Sequence, residues 1–239
     1  MCIRDSYRAG ESGSFVDAAT TEPGRLRIGW STKPVTRGIR PDPIHVRAVE
    51  DTARLLGDLG HDVREIDPRY PDPTAAFLPQ FFAGIRAEAD EVEHYDRLER
   101  RTRETYRLGT WVTPRVLQAA LRSTERVSAK ANRVFDDVDV LLTPAIAHRP
   151  PRAGILDGRG TVASVLLALP AIAYAALWNV AGNPAAAVPC GLGDDGLPLA
   201  VQLVGRPHEE TTLLSLSAQL EAARPWAARH PSPAAAAGS

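Results

Sequence analysis

Lysine is nearly missing from this chain, since only Lys33 and Lys130 stand among 28 basic residues and the rest are arginine. With abundant Ala, Pro and Gly, that skew points to a GC-rich bacterial genome. Cysteine is as scarce. Cys2 and Cys190 are far apart in sequence, which excludes a disulfide framework and metal-type spacing and suits a reducing cytoplasm. There is no charge of one sign to exploit: 28 basic residues face 29 acidic ones, so nothing attracts nucleic acid or an anionic membrane. Small molecules or proteins, a second copy included, are the partners left open. No apolar run reaches the ~18 to 20 residues of a membrane span, because Pro170 and Asn179 interrupt the longest one, Val162 to Val180. Met1 to Ser6 lack the basic and apolar regions of a signal peptide. The six histidines are scattered without ligand spacing, which argues against zinc. No Gly-x-Gly-x-x-Gly or phosphate loop is present, so no cofactor is expected.

What is there suffices for a folded domain, with 44% hydrophobic residues in 239. Residues 1–24 read as a polar leader or linker. Leu26 to Trp30 alternate as a strand, and Asp42-Pro43 starts a helix that runs to Gly60. Val46, Val49, Ala53, Leu56 and Leu59 give that helix one apolar face, and His61 to Ile66 form a second strand. A right-handed crossover then makes the two strands parallel. Thr74 to about Phe135 is helical and charge-rich, with a restart at Thr113-Pro114. Val138 to Leu142 are a strand stopped by Thr143-Pro144. Pro150 to Gly160 form a loop, and Thr161 to Ala176 an apolar helix or helix pair broken at Pro170. Ala185 to Pro189 and Leu197 to Gly205 are strands, Glu209 to Ala223 a closing helix, and residues 227–239 a disordered Ala/Pro-rich tail. Strands alternating with helices indicate an α/β class.

Three runs carry chemistry-bearing patterns. Leu177-Trp178-Asn179-Val180-Ala181-Gly182-Asn183-Pro184-Ala185-Ala186-Ala187-Val188-Pro189 joins a helix to a strand of small residues. Gly196 to Pro207, followed by Glu209-Glu210, makes a terminal strand and helix. Phe135-Asp136-Asp137-Val138-Asp139-Val140-Leu141-Leu142-Thr143-Pro144 joins acidic turn residues to an aliphatic strand. In this order the runs resemble the C-terminal half of amidase-signature hydrolases, and the likeness extends from about Tyr7 to Trp226. It implies that residues 25–226 are the C-terminal part of one amidase domain, a mixed sheet covered by helices. The implied reaction is hydrolysis of a carboxylic amide to acid and ammonia or amine. Within the family, a glutamine-hydrolysing subunit of a tRNA-dependent amidotransferase is the alternative; outside it, a non-catalytic binding or scaffold protein on the same half-fold. Asn179 has two readings, a cap for its apolar helix or a pocket-lining amide beside Trp178 as an apolar wall. The candidate substrate-binding residues are therefore Trp178 and Asn179.

Amidase-signature enzymes use a Ser, cis-Ser, Lys triad in a glycine-rich loop, because serine needs a base and the tetrahedral oxyanion needs preorganised donors. This chain has no Ser-Ser pair. Ser12-Gly13-Ser14 lacks the flanking glycines, and Lys33 and Lys130 stand outside any resembling motif. No catalytic residue is assigned, and the chain alone is expected to be inactive. Met1 to Ser6 resemble nothing in the family and read as foreign junction sequence. Asp136, Asp137 and Asp139 suit an acidic turn before a strand better than a metal site, and Glu209-Glu210 suit a helix start.

Overall fold

The computed structural model describes residues 14–227, so the opening hexapeptide and most of the tail lie outside the described residues. The expected unit of parallel strands is present. β1 (Arg27–Trp30) runs parallel to β2 (Asp62–Glu65), with Ile28 opposite Val63, and the helix between them spans Pro43–Asp58. Its proline sits in the first turn, where no backbone donor is needed. Asp42 holds the N-cap position without capping through its side chain; its carboxylate accepts from the Arg149 backbone N at 3.1 Å. Val49, Ala53 and Leu56 are buried as the periodicity requires.

The other strands are β3 (Val140–Pro144), β4 (Ala185–Leu192) and β5 (Pro198–Gly205). The sheet order is β2-β1-β3-β5-β4. β3 is parallel to β1 and antiparallel to β5, and β5 is antiparallel to β4, so the sheet is mixed. Side chains alternate across it. Ile28, Val140, Leu142, Val201 and Leu203 pack with Val49 and Leu56 and with Leu213 and Leu216 of the closing helix Glu210–Ala223. Leu141 and Val204 pack on the other face with Val127, Leu177 and Trp178. β3 is buried along its whole length.

Several elements differ from the sequence expectation. Phe15–Thr20 form a short helix inside the region read as leader; Ser14 caps it, and the Ser215 hydroxyl donates to Ala18 O at 2.7 Å. The long helical region divides into Thr74–Asp90, Arg100–Leu108 and Pro114–Ala131. The apolar helix Thr161–Ile172 runs through Pro170 instead of breaking there. A proline so near the C-terminal end disrupts little, and its own carbonyl accepts from Ala147 N at 2.9 Å. A second short helix, Ala176–Ala181, ends at Gly182, whose φ of 77° is the left-handed cap geometry that glycine adopts at low cost. The following strand, read to Pro189, continues to Leu192.

Asp139 joins the ends of three strands. Its carboxylate accepts from the Arg27 backbone N at 2.9 Å and from the Arg27 guanidinium at 2.7 and 3.2 Å, and it pairs with Arg206 at 3.2 Å. The Arg27 bonds hold its pKa down at about 2. A depressed carboxylate stabilises the fold above its unfolded pKa near 4, and that contribution disappears as pH falls through about 2. His45 acts in a higher window. Both ring nitrogens are buried without partners, and burial lowers its pKa below the ordinary 6.5. The unfolded chain therefore takes up the proton first, and stability declines as pH falls below about 6.5. In urea titrations, Asp139→Asn is expected to lower stability at pH 7 and to flatten the loss between pH 4 and 2. His45→Leu is expected to flatten the slope between pH 7 and 5 at no cost at neutral pH. An unchanged slope in either variant refutes its assignment.

Candidate functional site

β4 is an edge strand: among the described residues it pairs with β5 alone. Its side chains toward the closing helix are covered, Val188 being buried, whereas Ala185, Ala187 and Pro189 on the opposite face are exposed. Pro189 removes one edge donor, and the Arg224 guanidinium satisfies the Cys190 carbonyl at 2.7 Å. The helix Thr161–Ile172 is also uncovered. Val162 and Leu166 are 64% and 61% exposed, and Thr161 alone in it is buried. Its first turn is pinned to Arg100–Leu108, because Glu104 accepts from Thr161 N at 3.1 Å and the Thr161 hydroxyl donates to Arg101 O at 3.1 Å. This chain therefore holds an apolar helix firmly while leaving its apolar surface bare.

A polar row crosses the sheet at this ledge. Thr143 of β3 lies opposite Gln202 of β5, which lies opposite the exposed Ala187 of β4. Residues directly opposite share a face. The buried Gln202 amide donates to Thr143 Oγ1 and to the Tyr174 carbonyl, both at 3.2 Å. The Tyr174 hydroxyl donates to Thr32 O at 2.5 Å, and burial raises its pKa. Sequence reasoning did not single out this cluster. A glutamine inside the run Leu-Ala-Val-Gln-Leu-Val was the available signal, since a buried amide must find partners.

The structure separates the two residues expected to line a pocket. Trp178 is 2% exposed; its ring meets Tyr70 edge-on at 6.1 Å and Phe135 at 6.0 Å, so this chain itself encloses it. Asn179 is exposed and makes no side-chain hydrogen bond among the described residues. It does not cap the helix either, a role that Gly182 takes. Asn183 supplies the structural amide instead. It exchanges hydrogen bonds with Asn132 at 2.8 and 3.2 Å and donates to Gly205 O at 2.8 Å, tying the helix-to-strand junction to the helix Pro114–Ala131.

No described group is set up as a nucleophile with its base. Lys33 is ion-paired with Asp67 at 2.7 Å, and Lys130 is exposed. Burial pushes the Cys190 thiol up to about 11, which leaves it protonated and unreactive at neutral pH. Ser12 lies outside the described residues. Asp139 is occupied by arginines, and no cluster of three or more potential metal ligands occurs among the described residues. The exposed side chains of the ledge are apolar, and the polar groups next to them, on Thr143, Gln202 and Tyr174, are buried and hydrogen-bonded to one another or to backbone.

A mixed sheet ending in Gly-Asn-Pro and a small-residue edge strand, with these helices, defines the C-terminal portion of an amidase-signature domain. The chain belongs to the Amidase family, whose model matches residues 2–214. It is 50% identical over 226 residues to AmiB2 of Mycobacterium bovis, an alignment covering 93% of this chain and 49% of that protein. It is 30% identical over 242 residues to the 6-aminohexanoate-cyclic-dimer hydrolase of Paenarthrobacter ureafaciens, covering 92% of this chain and 48% of that one. A solved structure of 6-aminohexanoate cyclic dimer hydrolase superposes with a TM-score of 0.81 at 28% identity, covering 97% of this chain and 52% of the other. A bacterial aryl acylamidase shares the fold, with a TM-score of 0.66 at 22% identity. The chain thus spans about half the length of these relatives. No helix among the described residues is long and apolar enough to cross a membrane.

Gln202→Leu strands the Tyr174 carbonyl in the core. Losing the partner of a buried polar group costs about 1–3 kcal/mol, so the variant is expected to unfold at lower denaturant concentration by that amount. A loss within error of zero shows that the cluster contributes nothing.

Proposed function

We propose that this chain is the C-terminal half of an amidase that cleaves a carboxylic amide to acid and ammonia or amine through an acyl-serine. The nucleophilic serine and its lysine base come, in this reading, from a segment outside residues 1–239. The bare face of β4 and the uncovered helix Thr161–Ile172 carry the proposal. An open sheet edge and, separately, a helix surface with unburied Val162 and Leu166 are costly in water and suit contact with further protein. The serine-bearing segment covers the ledge, and the substrate amide lies near the joint. Asn179 is the candidate substrate contact, because its amide is exposed and unpartnered. Trp178 positions it from the core side. The family membership and the absence of a serine pair from the sequence support the same division. A cytoplasmic setting agrees with the scarcity of cysteine in the sequence.

The test compares ammonia or amine release by the purified chain with release after co-expression with the N-terminal half of AmiB2. Simple carboxamides and the cyclic dimer of 6-aminohexanoate serve as substrates. The chain alone is expected to match the buffer background, and the pair to turn over. Turnover by the chain alone, surviving replacement of its serines, overturns the proposal.

A further inference from the structure

A groove of about 900 Å³ opens between residues 64–72 and the helix Pro114–Ala131 with the turn after it. Ligand sites occupy roughly 300–1,000 Å³, so the size suits a small molecule. We propose that this groove binds a small organic anion carrying two or more anionic oxygen groups, of the phosphate-ester or polycarboxylate class.

The charges around it are unbalanced. Arg64, Arg69, Arg126, Lys130 and Arg133 line the groove against Asp67, Asp72 and Asp137, five cations to three acids. Two of those acids are already engaged. Asp67 pairs with Lys33 at 2.7 Å, and Asp72 accepts from Thr74 N at 2.9 Å at the start of the helix Thr74–Asp90. Arg64 donates to the Asp137 carbonyl at 3.1 Å. The side chains of Arg69, Arg126, Lys130 and Arg133 make no ion pair or hydrogen bond among the described residues. With Asp67 paired to Lys33, five cations face the two remaining carboxylates, Asp72 and Asp137, a surplus of three positive charges around one concavity.

The helix C-terminus accounts for part of this, because a cation in the last turn is favoured by the dipole. That accounts for Lys130 but not for Arg126, a full turn earlier, nor for Arg69 on the opposite wall. Arg126 and Lys130 are a like-charge i,i+4 pair, an arrangement that destabilises a bare helix and becomes favourable with an anion between the charges. Guanidinium forks match carboxylate and phosphate oxygens two at a time. The floor is apolar, made by Ile66, Val127 and Val134, and suits the carbon body of such a ligand. Tyr70 adds a hydroxyl with no hydrogen-bond partner among the described residues, which burial keeps protonated and able to donate.

The test is calorimetric titration of the 239-residue chain with pyrophosphate and, separately, citrate, at low and at physiological ionic strength. At least one probe is expected to saturate a single site with a Kd of about 1 mM or tighter at low salt, weakening as salt screens the charges. Tighter binding of pyrophosphate assigns the phosphate-ester class, and tighter binding of citrate the polycarboxylate class. The double variant Arg126→Glu/Lys130→Glu is expected to weaken binding at least tenfold. Lys130→Gln gives a milder loss should the double variant fold poorly by circular dichroism. Arg115→Glu, on the same helix but outside the groove, is the control and should bind like the parent chain. Absence of saturable binding by both probes overturns the proposal, as does an equal loss in the Arg115 control.

Discussion

The Asp139 carboxylate is the fixed point of the sheet. It binds the first residue of β1 through backbone and guanidinium and reaches Arg206 immediately after β5. Arg206 in turn donates to the carbonyls of Phe135 and Val138, at 2.6 and 3.0 Å. One end of three adjacent strands is thereby held in a single register. A slip of one residue moves every side chain to the opposite face. Leu141 and Leu142 would exchange layers, and Thr143 would leave the face where Gln202 waits for it. The separation of the two core layers and the position of the polar row both follow from this register. Charge-assisted bonds of this kind are the stronger class, although their partial exposure to water moderates them.

Much of this was legible in the letters because it depends on local chemistry. Asp42-Pro43 and Thr113-Pro114 begin helices where the fixed φ of proline is already helical. The apolar period of Val49, Ala53 and Leu56 locates a buried face, and the aliphatic run after Asp139 becomes the most buried strand. The departures have a common cause, which is that distant partners overrode local signals. Phe15–Thr20 read as linker because the helix is short, and it leans on Ser215 almost 200 residues away. Pro170 read as a breaker, yet its carbonyl is useful to Ala147.

The site was less legible than the fold. Trp178 and Asn179 are neighbours in sequence, but a six-residue helix turns one into the core and the other toward solvent. No spacing rule separates them without knowing which face of that helix meets the sheet. Gln202 shows the converse. Its role depends on strand register with Thr143 and on the carbonyl of Tyr174, two partners that pattern alone does not bring together.

The ledge and the buried row next to it on the same face belong to one design constraint. Ala185 and Ala187 leave the exposed face of the edge strand free of bulk, as the proposed covering segment would require. Rigidity of that face comes from its buried neighbours on the adjacent strand. The Gln202 amide, anchored to β3 on one side and to the backbone before the short helix on the other, provides it without projecting into the space above. Asn183 does the same at the strand entrance through Asn132 and Gly205. A buried amide and a half-buried one thus hold a surface whose exposed side chains are small and apolar. Such a surface suits contact with protein, and it is here that the proposed serine-bearing segment is placed.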